Sequence, residues 1–148
     1  MSVFKPLLFI VGAFSFAAAA QAAPQSWQCD VSHTTRAGWI TDSYYFNLGP
    51  AEDQAEVIDG VINYFEKDFI PAKVVKDDGE TIKLKWEYRA MGASSRRVTM
   101  RFDARIDRRA GRFSISAIPL GYDNTESKTG RCTAVEGPLR KSWRDPTV

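Results

Sequence analysis

From Ile70 onward, hydrophobic and polar residues alternate along the chain. In Thr81 to Ala90, Ile82, Leu84, Trp86 and Tyr88 fall on one side of an extended backbone, and Lys83, Lys85, Glu87 and Arg89 on the other. In Arg97 to Asp107, Val98, Met100, Phe102, Ala104 and Ile106 oppose Arg97, Thr99, Arg101, Asp103 and Arg105. In Arg112 to Ile118, Phe113, Ile115 and Ala117 oppose Ser114 and Ser116. A period of two marks strands with one face on a core and one in water, the antiparallel pattern.

The links between these runs are short. Lys76-Asp77-Asp78-Gly79-Glu80 predicts a tight hairpin between Ala72–Val75 and Thr81–Trp86. Residues 91–95 and 107–111 join the next pairs, so sequential strands form a meander. Gly121 to Gly130 is polar and bounded by glycines, which predicts a longer loop before a last strand, Arg131 to Val135. Upstream, Ser26 to Ser32 and Trp39 to Leu48 predict the first two strands. The pattern weakens over residues 50–66. Pro50 with Glu52, Asp53 and Glu56 resembles a helix start, but Gly60 and the β-branched Val57, Ile58, Val61 and Ile62 oppose a helix. A strand near Ala55–Asp59 followed by an irregular stretch is expected, with a short helix as the alternative.

The expected fold is all-β: seven or eight antiparallel strands in a small meander barrel or sandwich. The only two cysteines, Cys29 and Cys132, lie in its first and last strands. A disulfide between them would tie the ends together, as closing a barrel requires.

The N-terminus sets the compartment in which such a bond forms. Lys5 gives a positive start, Leu7 to Ala20 is uncharged, and Ala20-Gln21-Ala22-Ala23 has the small residues of a signal-peptidase site. Residues 1–23 thus read as a secretory signal peptide, cleaved after Ala22 or Ala23. The run is too short to span about 30 Å of hydrocarbon, which needs roughly 20 helical residues. Ser26-Trp27-Gln28 before Cys29 is not a lipoprotein box, so a soluble periplasmic or secreted product is expected. Export favours an oxidised cysteine pair.

Residues 24–136 then form one β domain, and 137–148, with Pro138 and Pro146, a basic mobile tail. About 125 residues suit a single core. A hydrophobic content of 44% is that of a folded chain. In outline, a small exported barrel with one disulfide near its ends resembles the lysozyme inhibitors of the bacterial envelope. The likeness is one of architecture, without their loop motifs, and carries no site residues over.

Net charge, +2 for the whole chain, falls to about +1 without the leader and favours no nucleic-acid partner. Its distribution is uneven. Acids dominate 51–80 (Glu52, Asp53, Glu56, Asp59, Glu66, Asp68, Asp77, Asp78, Glu80) and arginines dominate 96–112. Arg97, Arg101 and Arg105 share one strand face at even spacings, and arginine binds carboxylate and phosphate with two parallel hydrogen bonds. These three are the candidate binding residues, toward an anionic envelope component or an acidic protein surface. The bland alternative is a solvated face paired to Asp103 and Glu87.

Catalytic chemistry has little support. His33, the single histidine, sits among Ser32, Thr34, Thr35 and Arg36, a surface-loop setting. A triad or a metal site would need it near a nucleophile or further ligands, and with no second histidine and both thiols expected to be oxidised a zinc site is not expected. Glu52/Asp53 and Asp77/Asp78 are explained as turn residues. No cofactor motif occurs. A non-enzymatic exported binding protein is therefore expected. The alternatives are a lipocalin-like carrier of an apolar ligand, or a periplasmic hydrolase or enzyme inhibitor with no recognisable motif. The large inward residues Trp86, Tyr88, Met100, Phe102, Ile106 and Phe113 favour a filled barrel over a hollow one.

Overall fold

A computed structural model describes residues 25–33, 38–91 and 97–139. The leader reading of 1–23 lies outside these residues. The strands are β1 (Gln25–Val31), β2 (Ser43–Leu48), β3 (Gln54–Asp59), β4 (Ile70–Asp77), β5 (Thr81–Met91), β6 (Arg97–Asp107), β7 (Arg112–Pro119) and β8 (Glu126–Glu136), with α1 (Gly60–Glu66) between β3 and β4. Each strand pairs antiparallel with the next, and β8 returns to β1, so among the described residues the eight strands form a closed barrel. Closure gives each of the eight strands a neighbour on both sides.

Alternation builds the interior. Trp27 and Cys29 of β1, Tyr44 and Phe46 of β2, Ile82, Leu84 and Trp86 of β5, Phe102 and Ile106 of β6, and Phe113 and Ile115 of β7 are all buried. Rings from different walls meet inside: Phe46 and Trp86 at 5.6 Å between centroids, Tyr44 and Phe113 at 6.0 Å, Phe46 and Phe113 at 6.2 Å. Burial of each such side chain contributes roughly 1.5–3 kcal/mol. Packed aromatics thus occupy the space a carrier would leave for its ligand.

Cys29 and Cys132 are directly opposite each other in the β1–β8 register and are disulfide-bonded, with Cα atoms 4.0 Å apart. The bond sits on the seam that closes the barrel. On the outer side of the seam, Asn47 of β2 holds the chain beyond β8. Its Oδ1 accepts from Leu139 N at 2.8 Å, and its Nδ2 donates to Leu139 O at 3.1 Å. The Ser26 hydroxyl lies within bonding distance of both Asn47 Oδ1 and Gly137 O. The first residues of the expected tail are therefore pinned against β1 and β2; 140–148 lie outside the described residues.

Three local expectations change. Residues 60–66 are helical, not irregular, because Asp59 caps the helix by accepting from Ile62 N at 2.8 Å. Gly60 is then the first helical residue and not a mid-helix break. The second strand begins at Ser43, not Trp39, because the amides of Trp39 and Ile40 turn to the Glu126 carboxylate, at 2.6 and 3.4 Å. The last strand begins at Glu126, not Arg131, because 126–129 pair with Ser114–Ala117 of β7. The Asp77-Asp78-Gly79 turn is as expected: Asp77 accepts from Gly79 N, and Asp78 from Glu80 N and Thr81 N.

Candidate functional site

Arg97, Arg101 and Arg105 all project outward from β6 and are exposed. Each step of four residues along the strand separates them by roughly 13 Å, so they do not converge on one small ligand. Their surroundings also differ. Arg101 faces Glu87 of β5 and bonds it at 3.3 Å. Asp103 is taken by Lys85 at 2.9 Å and not by an arginine. Arg97 borders a separate groove with Phe65, Glu66, Tyr88 and Arg89. Arg105 forms no ion pair among the described residues, and its cross-strand neighbour on β5 is Lys83, another cation.

The strand register brings other arginines to Arg105. On β7, Arg112 stands two residues below Ser114, the partner of Arg105. On β8, Arg131 lies directly opposite Arg112. Arg105, Arg112 and Arg131 therefore line one open groove of about 590 Å³, together with Ser32, Ser114 and Thr129. Asp107 enters the groove too, bonding Arg112 at 3.1 Å while accepting from Ala110 N at 2.8 Å. The Ala110 amide, and after it Arg112, hold the Asp107 carboxyl below the usual aspartate range. Asp107 is thus the one acid among the groove's lining residues, while Asp30 of β1 lies opposite Arg131 on its other side. Like charges directly opposite each other destabilise a sheet, and here Lys83/Arg105 and Arg112/Arg131 are both such pairs. An anion seated between them would relieve that repulsion.

A second polar cluster closes the barrel end beneath α1. Asp59 is buried, and burial pushes its carboxyl above the ordinary aspartate value despite bonds from Ile62, Val61 and Thr41 that lower it. Burial, then the Asp59 charge, raise the Tyr44 phenol well above its usual value. Tyr88 donates to Glu66 at 3.2 Å, and burial together with Glu66 pushes its phenol up to about 12. Each of these groups serves the fold: Asp59 caps α1, Tyr44 accepts from Thr41 N, and Glu126 holds the loop at 39–40. Tyr88 and Glu66 line the groove that Arg97 borders, whereas Asp59 and Tyr44 are buried.

Asp59 gives the first prediction. Unfolded, it ionises near the ordinary value of about 3.9; folded, it keeps its proton to higher pH. Across that window the folded state binds more protons, so stability falls as pH rises, and the loss is complete above the folded value. Asp59→Asn keeps an oxygen for the Ile62 amide and removes the charge. The advantage of the variant over the parent should grow from about pH 4 toward neutrality in urea unfolding curves. A difference independent of pH would show that Asp59 is not held above its ordinary value.

His33 is exposed, at a positive φ of 56°, beside Ser32 at the edge of a smaller groove. Among the described residues there is no cluster of three or more histidine, cysteine or acidic side chains able to hold a metal. Among those same residues, no helix is long and apolar enough to cross a membrane.

Sequence reasoning singled out Arg105 but missed Arg112 and Arg131. Both belong to the alternating outer pattern. Their meeting depends on the β7–β8 register, which the polar 126–130 segment concealed. A scan against protein-family models, and searches of curated proteins and of solved structures, find no match to this chain.

Proposed function

We propose that this is an exported, non-enzymatic protein of the bacterial envelope that binds an anionic partner on the outer face of β6, β7 and β8. The observation that carries this reading is the convergence of Arg105, Arg112 and Arg131 on one groove, of whose lining residues Asp107 is the one acid. The filled interior favours an external site over a carrier's cavity. The signal-peptide pattern of residues 1–23 and the paired cysteines support an oxidising compartment outside the cytoplasm.

Guanidinium–anion bonds are among the stronger polar contacts, roughly 1.5–3 kcal/mol each when charge-assisted. The triple variant Arg105→Ser, Arg112→Ser, Arg131→Ser should therefore bind a sulfated polysaccharide resin at least about 100-fold more weakly than the parent. Parent binding should itself weaken as salt is raised. Thermal unfolding of the variant serves as the check on folding. Equal retention of a folded triple variant would dismiss the groove as the binding site.

A further inference from the structure

We infer that the partner is an acidic oligosaccharide lying along β7 and β8. This inference rests on the binding reading above and names its ligand class. The arginine groove does not end at Thr129. It shares Ser32, Ser114 and Thr129 with the smaller groove of about 310 Å³, which continues over Ser116 and Ser127.

These hydroxyls form two cross-strand pairs in register, Ser114 with Thr129 and Ser116 with Ser127. The Ser116 and Ser127 oxygens are 2.9 Å apart and satisfy each other. A hydroxyl both donates and accepts, so such a pair can open toward a ligand that also offers both. From Arg112 to Ser116 the track runs four residues, roughly 13 Å of strand. The three arginines lie at one end; at the other the hydroxyls stand with His33 and with Lys128, which is paired to Glu126.

The competing ligand classes each lack something on this surface. Single-stranded nucleic acid needs a succession of exposed aromatic faces for its bases, whereas of the two rings lining the track Phe113 is 2% exposed and His33 alone is exposed. A peptide added as an extra strand needs a free sheet edge, and the barrel has closed its edges. An apolar side chain needs a pocket, and Ile115, the aliphatic residue in the smaller groove, is 1% exposed. A chain of sugars bearing carboxylate or sulfate meets both halves of the track. Its acid groups bond the arginines, and its hydroxyls replace the serine-to-serine bond.

Isothermal titration of the protein produced from the full chain tests this. The probes are tetragalacturonate, a sulfated heparin tetrasaccharide, neutral maltotetraose, tetraglutamate and tripolyphosphate. At least one of the two acidic sugars should bind more tightly than the other three probes, and which one binds names the acid. The double variant Ser116→Ala, Ser127→Ala should weaken that sugar about tenfold and leave tripolyphosphate unchanged. Arg112→Ser with Arg131→Ser should weaken every anion, and Arg89→Ser, in a different groove, none. Two results overturn the inference while leaving the anion-binding reading standing: tetraglutamate or tripolyphosphate binding as tightly as the acidic sugars, or acidic sugars indifferent to the serine substitutions. Maltotetraose binding as tightly as the acidic sugars overturns both readings. Absence of binding by all five probes overturns both.

Discussion

Gly130→Ala should cost about 4 kcal/mol or more, a loss reserved for substitutions that break a defined structural feature. Gly130 lies on β8 opposite Val31 of β1 and Phe113 of β7. An added Cβ would sit 2.0 Å from the Asp30 carbonyl oxygen, and 2.9 Å from both the Asp30 carbonyl carbon and the Val31 Cα. All three are backbone atoms of the closing strand, so no side-chain rotation relieves the clash. Glycine inside a strand often marks such a close approach of two backbones. The strands cannot easily separate, because the Cys29–Cys132 disulfide clamps them close by. Urea unfolding followed by near-ultraviolet circular dichroism would measure the effect. A loss below about 1 kcal/mol would mean that β1 and β8 do not meet as described.

The disulfide itself carries the second large effect. Its cysteines are 103 residues apart in sequence. For a loop of that length the chain-entropy model gives about 4–5 kcal/mol of stabilisation by restricting the unfolded chain. Domains of this size have only about 5–15 kcal/mol in all. Cys29→Ala with Cys132→Ala should therefore lose a large part of the total and lower the urea midpoint by about 2 M. In the parent both sulfurs are buried, at 0% and 7% residue exposure. A reductant should thus act slowly on the native protein and quickly once urea opens the barrel. A midpoint shift under about 0.5 M would leave the barrel held by its core and hydrogen bonds alone.

The legible parts of this molecule are those where neighbours in sequence decide the structure. The runs through Trp86, Phe102 and Phe113 alternate because one face is buried, and the turn at Asp77-Asp78-Gly79 is set by its own side chains. The pairing of Cys29 with Cys132 follows from their number and positions. The less legible parts depend on distant partners. Glu126 and Lys128 look like loop residues until the amides of Trp39 and Ile40, more than eighty positions away, give Glu126 a reason to turn inward. The helix at 60–66 hinges on one contact, the Asp59 cap, which a reading centred on Gly60 overlooks. The candidate site shares this fate. Arg112 and Arg131 are plain exposed cations in sequence and become a pair only through the strand register.

The meander that closes on itself also sets an order of events in time. The hairpins from β4 through β7 join residues close in sequence and can form within microseconds. The seam cannot. β1 is synthesised early, yet one of its two partners, β8, arrives about a hundred residues later, and long-range pairing of this kind slows folding. Until then the nascent sheet exposes an unpaired ridge of amides and carbonyls along β1, a template for other chains. Cations on the outer wall, Lys83 and Arg105 among them, would oppose the stacking of like faces from two molecules during that interval. The same cations offered above to a ligand would thus have an earlier task, as guards of an unfinished barrel.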